Sequence, residues 1–385
     1  MNVAFKRNAA IINTQSRLQP LDALGGFDMI WIISGEGIIH GLATATNLPA
    51  FTWMSSQLHH TPWNGFTFYD MIFPLFIFIA GVSMPFSFGN QFEKGGINRS
   101  LVKKNIYKSL FKRTVILILL GMVVNGALNF NGYENTRFAS VLGRIALSCF
   151  FAALIFLNTH LRGQLTFFFA LLIGYWAALT MIPVPGFGAG DLTPEGNLPA
   201  YIDRMFLPGQ VLRKVYDPEG ILSTIPAIST ALLGIFAGRF LRYSAVKMNK
   251  LKKGLILALA GMVLLFAGLL WNLVFPINKN MWTSSFVLYA GGWSLLLLAV
   301  FYLVIDVWNI RKWSMPLVWI GMNSILIYMA SHGVVNFKSS SQFLFGGLIN
   351  LTPETWHPVW LWTGVAIIQL ALLYFLFRKK FFWKI

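Results

Sequence analysis

Residues 58–70, Leu58-His59-His60-Thr61-Pro62-Trp63-Asn64-Gly65-Phe66-Thr67-Phe68-Tyr69-Asp70, run straight into MIFPLFIFIAGVSMPFSF, the uncharged stretch 71–88. An apolar run of that length is sufficient for a helix to cross a hydrocarbon core. It begins on a carboxylate, and two imidazoles precede it. A carboxylate in hydrocarbon costs about 2.5 kcal/mol or more on insertion scales, so one kept at a helix entrance beside a histidine pair marks a candidate site.

The rest of the chain has the same character. Of 385 residues, 56% are hydrophobic and 11% charged, whereas soluble domains carry about 25% charged residues. Apolar windows bounded by charge or by Gly and Pro fall near 21–45, 67–88, 114–130, 138–158, 165–184, 220–240, 254–275, 285–307, 316–335 and 359–377. The expected fold class is an all-α polytopic integral membrane protein of about ten transmembrane helices. No remaining segment is long enough for a soluble domain, so a single membrane domain over 1–385 is expected. Short tails lie at 1–20 and 378–385, and longer connections near 46–66 and 185–219.

Charge orients these spans. The net charge of +17 is not the basic face of a nucleic-acid module. All but seven of the 30 lysines and arginines fall in the two tails and in alternate connections, chiefly 89–113 and 239–253. The other connections hold only Arg137, Arg204, Arg213, Lys214, Lys279 and Lys338, and Arg144 lies within a span. The positive-inside rule places both termini in the cytoplasm and 46–66 and 185–219 outside. The N-terminus shows no apolar core or cleavage site before the first span, so no signal peptide is read. A single cysteine, Cys149, excludes an intrachain disulfide and a thiol metal cluster.

With this topology, polar groups from distant helices reach the outer third together. They are Glu36, His40, Asp70, Asn125, Arg137, Arg144, Asp217, Glu219, Lys279, Asn280 and His332, with His59 and His60 above Asp70. Such convergence is how membrane proteins build a polar pocket. Plainer roles exist for several members. Arg144 with Asp70 or Glu36 would make a structural ion pair, His40 and His332 would be packing histidines, and Trp63 and Trp282 would be interface residues. Adjacent histidines ligate one ion poorly and no companion cluster follows, so no metal site is expected. No glycine-rich nucleotide cradle is present.

Several blocks, in order, resemble the heparan-α-glucosaminide N-acetyltransferase family of transmembrane acyltransferases. These are Leu21-Asp22-Ala23-Leu24-Gly25-Gly26-Phe27-Asp28-Met29, His60-Thr61-Pro62-Trp63-Asn64-Gly65, Asp70 to Phe78, and Val141-Leu142-Gly143-Arg144-Ile145. Asp217-Pro218-Glu219-Gly220, Pro276-Ile277-Asn278-Lys279-Asn280-Met281-Trp282 and Gly321-Met322-Asn323-Ser324-Ile325 complete the series. The resemblance implies transfer of acetyl from cytoplasmic acetyl-CoA to the amine of a glucosamine-type sugar on the outer side. It selects His60, three residues before Trp63-Asn64-Gly65, as the active histidine. A neutral imidazole can remove the amine's proton or carry the acetyl group, and Asp70 would support it. Glu36, Trp63, Asn64, Lys279 and Asn280 are the expected substrate contacts, and Asp22, Asp28, Arg144 and Asn323 the expected acetyl-CoA contacts.

The chain departs from the family's pattern where Gly25-Gly26 replaces Arg-Gly, Gly143 replaces Gln and Glu36 stands near an Asn. It also lacks the large lumenal region of the lysosomal members, so a multi-pass protein of a bacterial cytoplasmic membrane is expected. The expected partners are an amino-sugar substrate and the lipid bilayer, with a homodimer open and no nucleic acid. The alternatives are an amino-sugar permease and a non-catalytic binding member of the fold.

Overall fold

A computed structural model describes residues 18–94, 98–129, 132–243 and 248–383. The tail through Arg17, on which the signal-peptide reading and three basic residues fall, lies outside the described residues, as do Lys247 and Lys384. The molecule is a helical bundle. Among the described residues its only sheet is a two-stranded ribbon, β1 Pro183–Val184 with β2 Gly188–Ala189.

The chain enters through α1 Gln19–Ile30, which passes through a π-helical turn, Trp31–Gly35, into α2 Glu36–Thr46. Short α3 Pro49–Gln57 leads to the quoted stretch, and α4 Phe68–Lys94 follows. Next come α5 Arg99–Val124, α6 Val141–Asn158 and α7 Leu161–Met181. After the ribbon and α8 Leu198–Phe206, the chain continues through α9 Thr224–Tyr243, α10 Lys250–Asn272 and α11 Ser284–Tyr302. The last part is α12 Met315–Met322, α13 Ser324–Met329, α14 Phe337–Ile349 and α15 His357–Arg378.

Seven helices among the described residues are long and apolar enough to cross a membrane, and an eighth span arises if 312–322 and 324–334, bent by 67° at Asn323, count as one. Two of the ten expected spans do not qualify by length and composition. The π turn breaks 21–45 into two shorter helices. The window 114–130 is the end of α5, whose N-terminal part carries Arg99, Lys103, Lys104, Lys108, Lys112 and Arg113. A further helix, α14, packs against α15.

The centre of the bundle is the pairing of α4 with α9. Lipid and side-chain interior are equally apolar, so helices in membranes associate through close backbone approach at small residues. A Cβ at Gly81 would strike the Ala231 carbonyl, one at Gly234 the Phe78 carbonyl, and one at Gly238 the Val82 carbonyl. Phe78, Val82, Ala231 and Leu232 are fully buried along this seam. At the other extreme α10 turns Leu255, Leu259, Met262, Phe266 and Leu270 outward, an apolar face suited to acyl chains. The first residues of α4, the end of α2, the loop 273–283 and the residues after α13 meet at one end of the bundle, called the His60 end below.

Candidate active site

Asp70 sits on the first turn of α4 with its side chain 1% exposed. The loop before the helix supplies its donors. Oδ2 accepts from Thr61 N (3.3 Å), Thr61 Oγ1 (3.0 Å) and Thr67 N (3.1 Å). Thr67 Oγ1 divides its one proton between Asp70 Oδ2 at 3.1 Å and the His59 carbonyl at 2.6 Å. An oxygen surrounded by donors is an ionised acceptor, which leaves Oδ1 to bind His60 Nδ1 at 2.8 Å. The shared proton therefore resides on Nδ1. The His60 side chain is 46% exposed.

Lys279 approaches from the loop before α11, 219 positions away in sequence. Its Nζ is 3.0 Å from both His60 Nδ1 and Nε2 and 3.8 Å from Asp70 Oδ1. Equal distances to both ring nitrogens put the ammonium over the imidazole face, aligned with neither lone pair. Burial pushes Lys279 below the usual lysine range, against the pull of Asp70 and Glu219. The loop itself is rigidly built. Asn278 Nδ2 donates to Asn64 Oδ1 (3.0 Å), its Oδ1 accepts from Met281 N (2.9 Å), and Gly65 N donates to the Ile277 carbonyl (2.8 Å). These bonds join the Trp-Asn-Gly loop to the Pro-x-Asn-Lys-Asn loop and so hold Lys279 above His60.

A cavity of about 180 Å³ opens beside this cluster. Met29, Ile72, Phe73, Phe76, Leu142, Ile145 and Ile325 make it largely apolar, and His60, Tyr69, Glu219, Lys279, Tyr328 and His332 line its polar part. Tyr69 stacks obliquely on His60, ring centroids 4.7 Å apart. Tyr69 and Tyr328 escaped the sequence reading because tyrosines among so many aromatics carry no distinguishing signal. A polar cavity of about 450 Å³ adjoins it, with Ile32 and His332 in the walls of both. A third, of about 80 Å³, lies between α4, α5 and α6 and shares Ile145 with the first.

The remaining expected contacts divide clearly. Glu36 lines the polar cavity. Asn64 holds the Asn278 loop, and Trp63 turns away, donating Nε1–H to the Leu192 carbonyl at 2.8 Å and packing on Tyr216. Asn280 is half-buried beside Lys279. None of the four expected acetyl-CoA contacts lines any of these three cavities. Asp22 is half-buried on α1. Asp28 is buried, with neither carboxylate oxygen hydrogen-bonded. Asn323 binds the Phe381 carbonyl and Trp383 N, fastening the C-terminal tail at the 67° bend.

Arg144 is also buried at the His60 end. It donates to Ser223 Oγ and the Gly220 carbonyl and rests over Trp282, 5.0 Å from the centroid. The structural pairing with Asp70 or Glu36 does not form; Asp70 pairs with His60 and Lys279 instead. Arg137 makes a further ion pair at this end, clasping Asp217 at 2.9 and 2.6 Å and also binding Glu219. Burial alone would raise Asp217, yet the Arg137 guanidinium holds it below the usual carboxylate range.

The two glycine departures differ in what surrounds them. A Cβ at Gly25 would meet only Gly321 Cα at 3.9 Å, so packing does not require glycine there, whereas at Gly26 it would strike the Leu317 carbonyl. At Gly143 a Cβ would come within 3.0 Å of Ser140 Oγ, the hydroxyl that caps α6 by accepting from Gly143 N.

A family model described as heparan-alpha-glucosaminide N-acetyltransferase, catalytic, matches residues 17–269. The chain is 28% identical over 381 aligned residues to heparan-alpha-glucosaminide N-acetyltransferase of Mus musculus, an alignment covering 85% of this chain and 56% of the relative. It is likewise 28% identical to the Homo sapiens protein of that name, with 85% and 55% covered. The chain thus spans about half the length of the curated relatives it matches.

Proposed function

The chain belongs to the heparan-alpha-glucosaminide N-acetyltransferase family, and from that premise we propose that it is a multi-pass membrane enzyme transferring acetyl from acetyl-CoA to the amine of a glucosamine-type sugar. The observation that carries the reading is His60 at the wall of a cavity, with Nδ1 bound to Asp70 and the Lys279 ammonium 3.0 Å from Nε2. The charge pattern supports acetyl-CoA arriving from the cytoplasm and the sugar from the opposite side.

Asp70 fixes the tautomer and Thr61 and Thr67 fix Asp70, so Nε2 is aimed without cost at the moment of reaction. As base, His60 takes a proton from the amine as nitrogen bonds to the acyl carbon; the C–S bond breaks and the proton passes to the departing thiolate. As acyl carrier, the same Nε2 holds the acetyl group between two such displacements. Lys279, as an ammonium over the ring, disfavours a second positive charge on His60 and lies where negative charge develops on the carbonyl oxygen. The apolar cavity suits the thioester arm. A separate cavity that shares Ile145 with it is lined by Ser83, Ser87, Thr114 and Arg113 and lies towards the basic segment of α5. Ser87 is about 25 Å along α4 from Asp70 at 1.5 Å per residue, a reach that favours donor and acceptor entering from opposite ends.

The test is transfer of label from acetyl-CoA to glucosamine by the purified protein in detergent. Wild type is expected to form N-acetylglucosamine and His60→Ala to lose it. Equal rates for the two would overturn the mechanism.

A further inference from the structure

The outward side of α5 carries one continuous stripe. Leu101, Lys104, Lys108, Phe111, Val115 and Leu119 follow one another at spacings of three and four and are all exposed, which is the period of a single helix face. Ile106, Thr114, Leu117 and Gly121 are buried on the opposite side. Lys112, four residues after Lys108, widens the cationic part of the stripe and is exposed as well. Lys103 is already engaged: its Nζ and the Tyr107 hydroxyl both donate to Asn158 Oδ1 at 2.9 Å, on the last residue of α6. Among the described residues no hydrogen bond or ion pair holds Lys104, Lys108 or Lys112.

Depth makes these free cations unusual. The 18 residues of α6 span about 27 Å at 1.5 Å per residue, close to the thickness of a hydrocarbon core. The charge pattern puts its Asn158 end on the cytoplasmic side, so the bonds from Lys103 and Tyr107 to Asn158 mark the level of the cytoplasmic boundary on α5. Lys104 stands at that level, Lys108 about 6 Å and Lys112 about 12 Å further in. A lysine turned towards acyl chains bends its stem back so that the ammonium regains the interface, and there it seeks an anion. The neighbouring sequence supplies none. Between Glu93 and Asp191 there is one acid, Glu134, which lies in an outer connection, and Glu93 itself binds Arg242.

We propose that this face of α5 binds an anionic phospholipid of the cytoplasmic leaflet, with the phosphate between Lys104 and Lys108, Lys112 reaching it from below, and an acyl chain along Phe111, Val115 and Leu119. Charge complementarity selects a phosphate. The apolar continuation of the same stripe selects a lipid over a soluble phosphate, because headgroup and chain then occupy consecutive turns of one helix. The lipid also has a structural effect: like charges four residues apart repel along a helix, and an anion between them relieves that repulsion, so binding is read as thermal stabilisation. The site is on the outside of the bundle and is independent of the transferase reading.

The experiment titrates the full chain in a nonionic detergent with phosphatidylglycerol and, separately, with phosphatidylcholine of the same chain length, and follows the unfolding temperature. Wild type is expected to reach half-saturation at a phosphatidylglycerol concentration about tenfold or more below that of phosphatidylcholine, a preference that shrinks at high salt. Lys104→Gln, Lys108→Gln and Lys112→Gln combined, all at exposed positions, are expected to bring the two lipids within about twofold of each other. Arginine at the same positions is expected to keep the preference. The matched control combines Lys252→Gln, Lys312→Gln and Lys380→Gln, which removes as many exposed cations elsewhere on the cytoplasmic side, and it is expected to behave as wild type. Glycerol phosphate, a headgroup without chains, is expected to give no shift; a shift equal to that from phosphatidylglycerol would assign the face to soluble phosphates and overturn the lipid. Displacement of phosphatidylglycerol by acetyl-CoA would assign the face to the acyl donor and overturn it likewise. A preference that survives the combined α5 substitutions, or that the matched control loses equally, would overturn the site.

Discussion

Asp70→Asn tests the reasoning most directly, because the structure states what the amide can and cannot do. The carboxylate has two different sides: Oδ2 faces the Thr61 and Thr67 donors, and Oδ1 faces His60 Nδ1. An asparagine must turn its oxygen to one of them. Turning NH2 towards two backbone N–H groups would set donor against donor, and hydrogen bonds to charged groups are worth about 1.5–3 kcal/mol each. The amide oxygen therefore stays with the threonines, and NH2 is presented to His60 Nδ1. The imidazole then accepts at Nδ1 and carries its proton on Nε2, the nitrogen that the reaction needs as acceptor. Folding survives, with stability reduced by about 1–3 kcal/mol for the lost charge, but the base is inverted. In catalytic triads the same inversion costs about 10⁴ in kcat, and a fall of about 10²–10⁴ is expected here. The assay is acetyl transfer at saturating acetyl-CoA and glucosamine, with thermal unfolding in the same detergent. Asp70→Asn with His60→Ala should be no slower than His60→Ala alone, because both changes remove one function. A folded Asp70→Asn protein with kcat within about threefold of wild type would refute the tautomer argument.

Other perturbations test the packing and the outer loops. Gly234→Leu must separate α4 from α9, since even a Cβ collides with the Phe78 carbonyl; a loss of about 1–3 kcal/mol or more is expected, whereas Gly174→Leu, with nothing within 4 Å, should unfold at the wild-type temperature or above. Burial raises Asp203, on α8, to about 6 from its ordinary 3.8, in spite of the bond that Oδ1 accepts from Ile221 N. The folded state then keeps a proton the unfolded state releases, so stability should fall by about 3 kcal/mol as pH rises from about 4 to about 6 and stay level above. Asp203→Asn should flatten that slope in thermal unfolding across the same range, and an unchanged slope would show that another group is responsible.

The membrane class was legible because hydrophobicity over a window is a local property of the chain. So was the pairing of His60 with Asp70, for ten residues that cross one loop into one helix turn keep their two ends together. The family blocks carried the choice of His60 over His59; in the structure His60 holds Asp70 while His59 stacks on His40. Span counting was less secure. A π turn interrupts α1 and α2, and a basic segment extends α5, without any loss of apolar composition in the windows themselves.

What tertiary structure alone decided is which polar groups face the same space. Lys279 reaches His60 across 219 positions because Asn64 and Asn278 join their loops. Arg144, by depth alone a partner for Asp70, is instead held by Ser223, the Gly220 carbonyl and Trp282. Gln369 is a polar residue in the last apolar span, and only the packing of α15 on the first helices bonds its amide to the Ile33 carbonyl and Ser331. Depth in a membrane follows from position along a helix, which sequence contains. The rotation of each helix about its axis follows from the neighbours it packs against, and that rotation decides whether a buried polar group becomes a strut or a site.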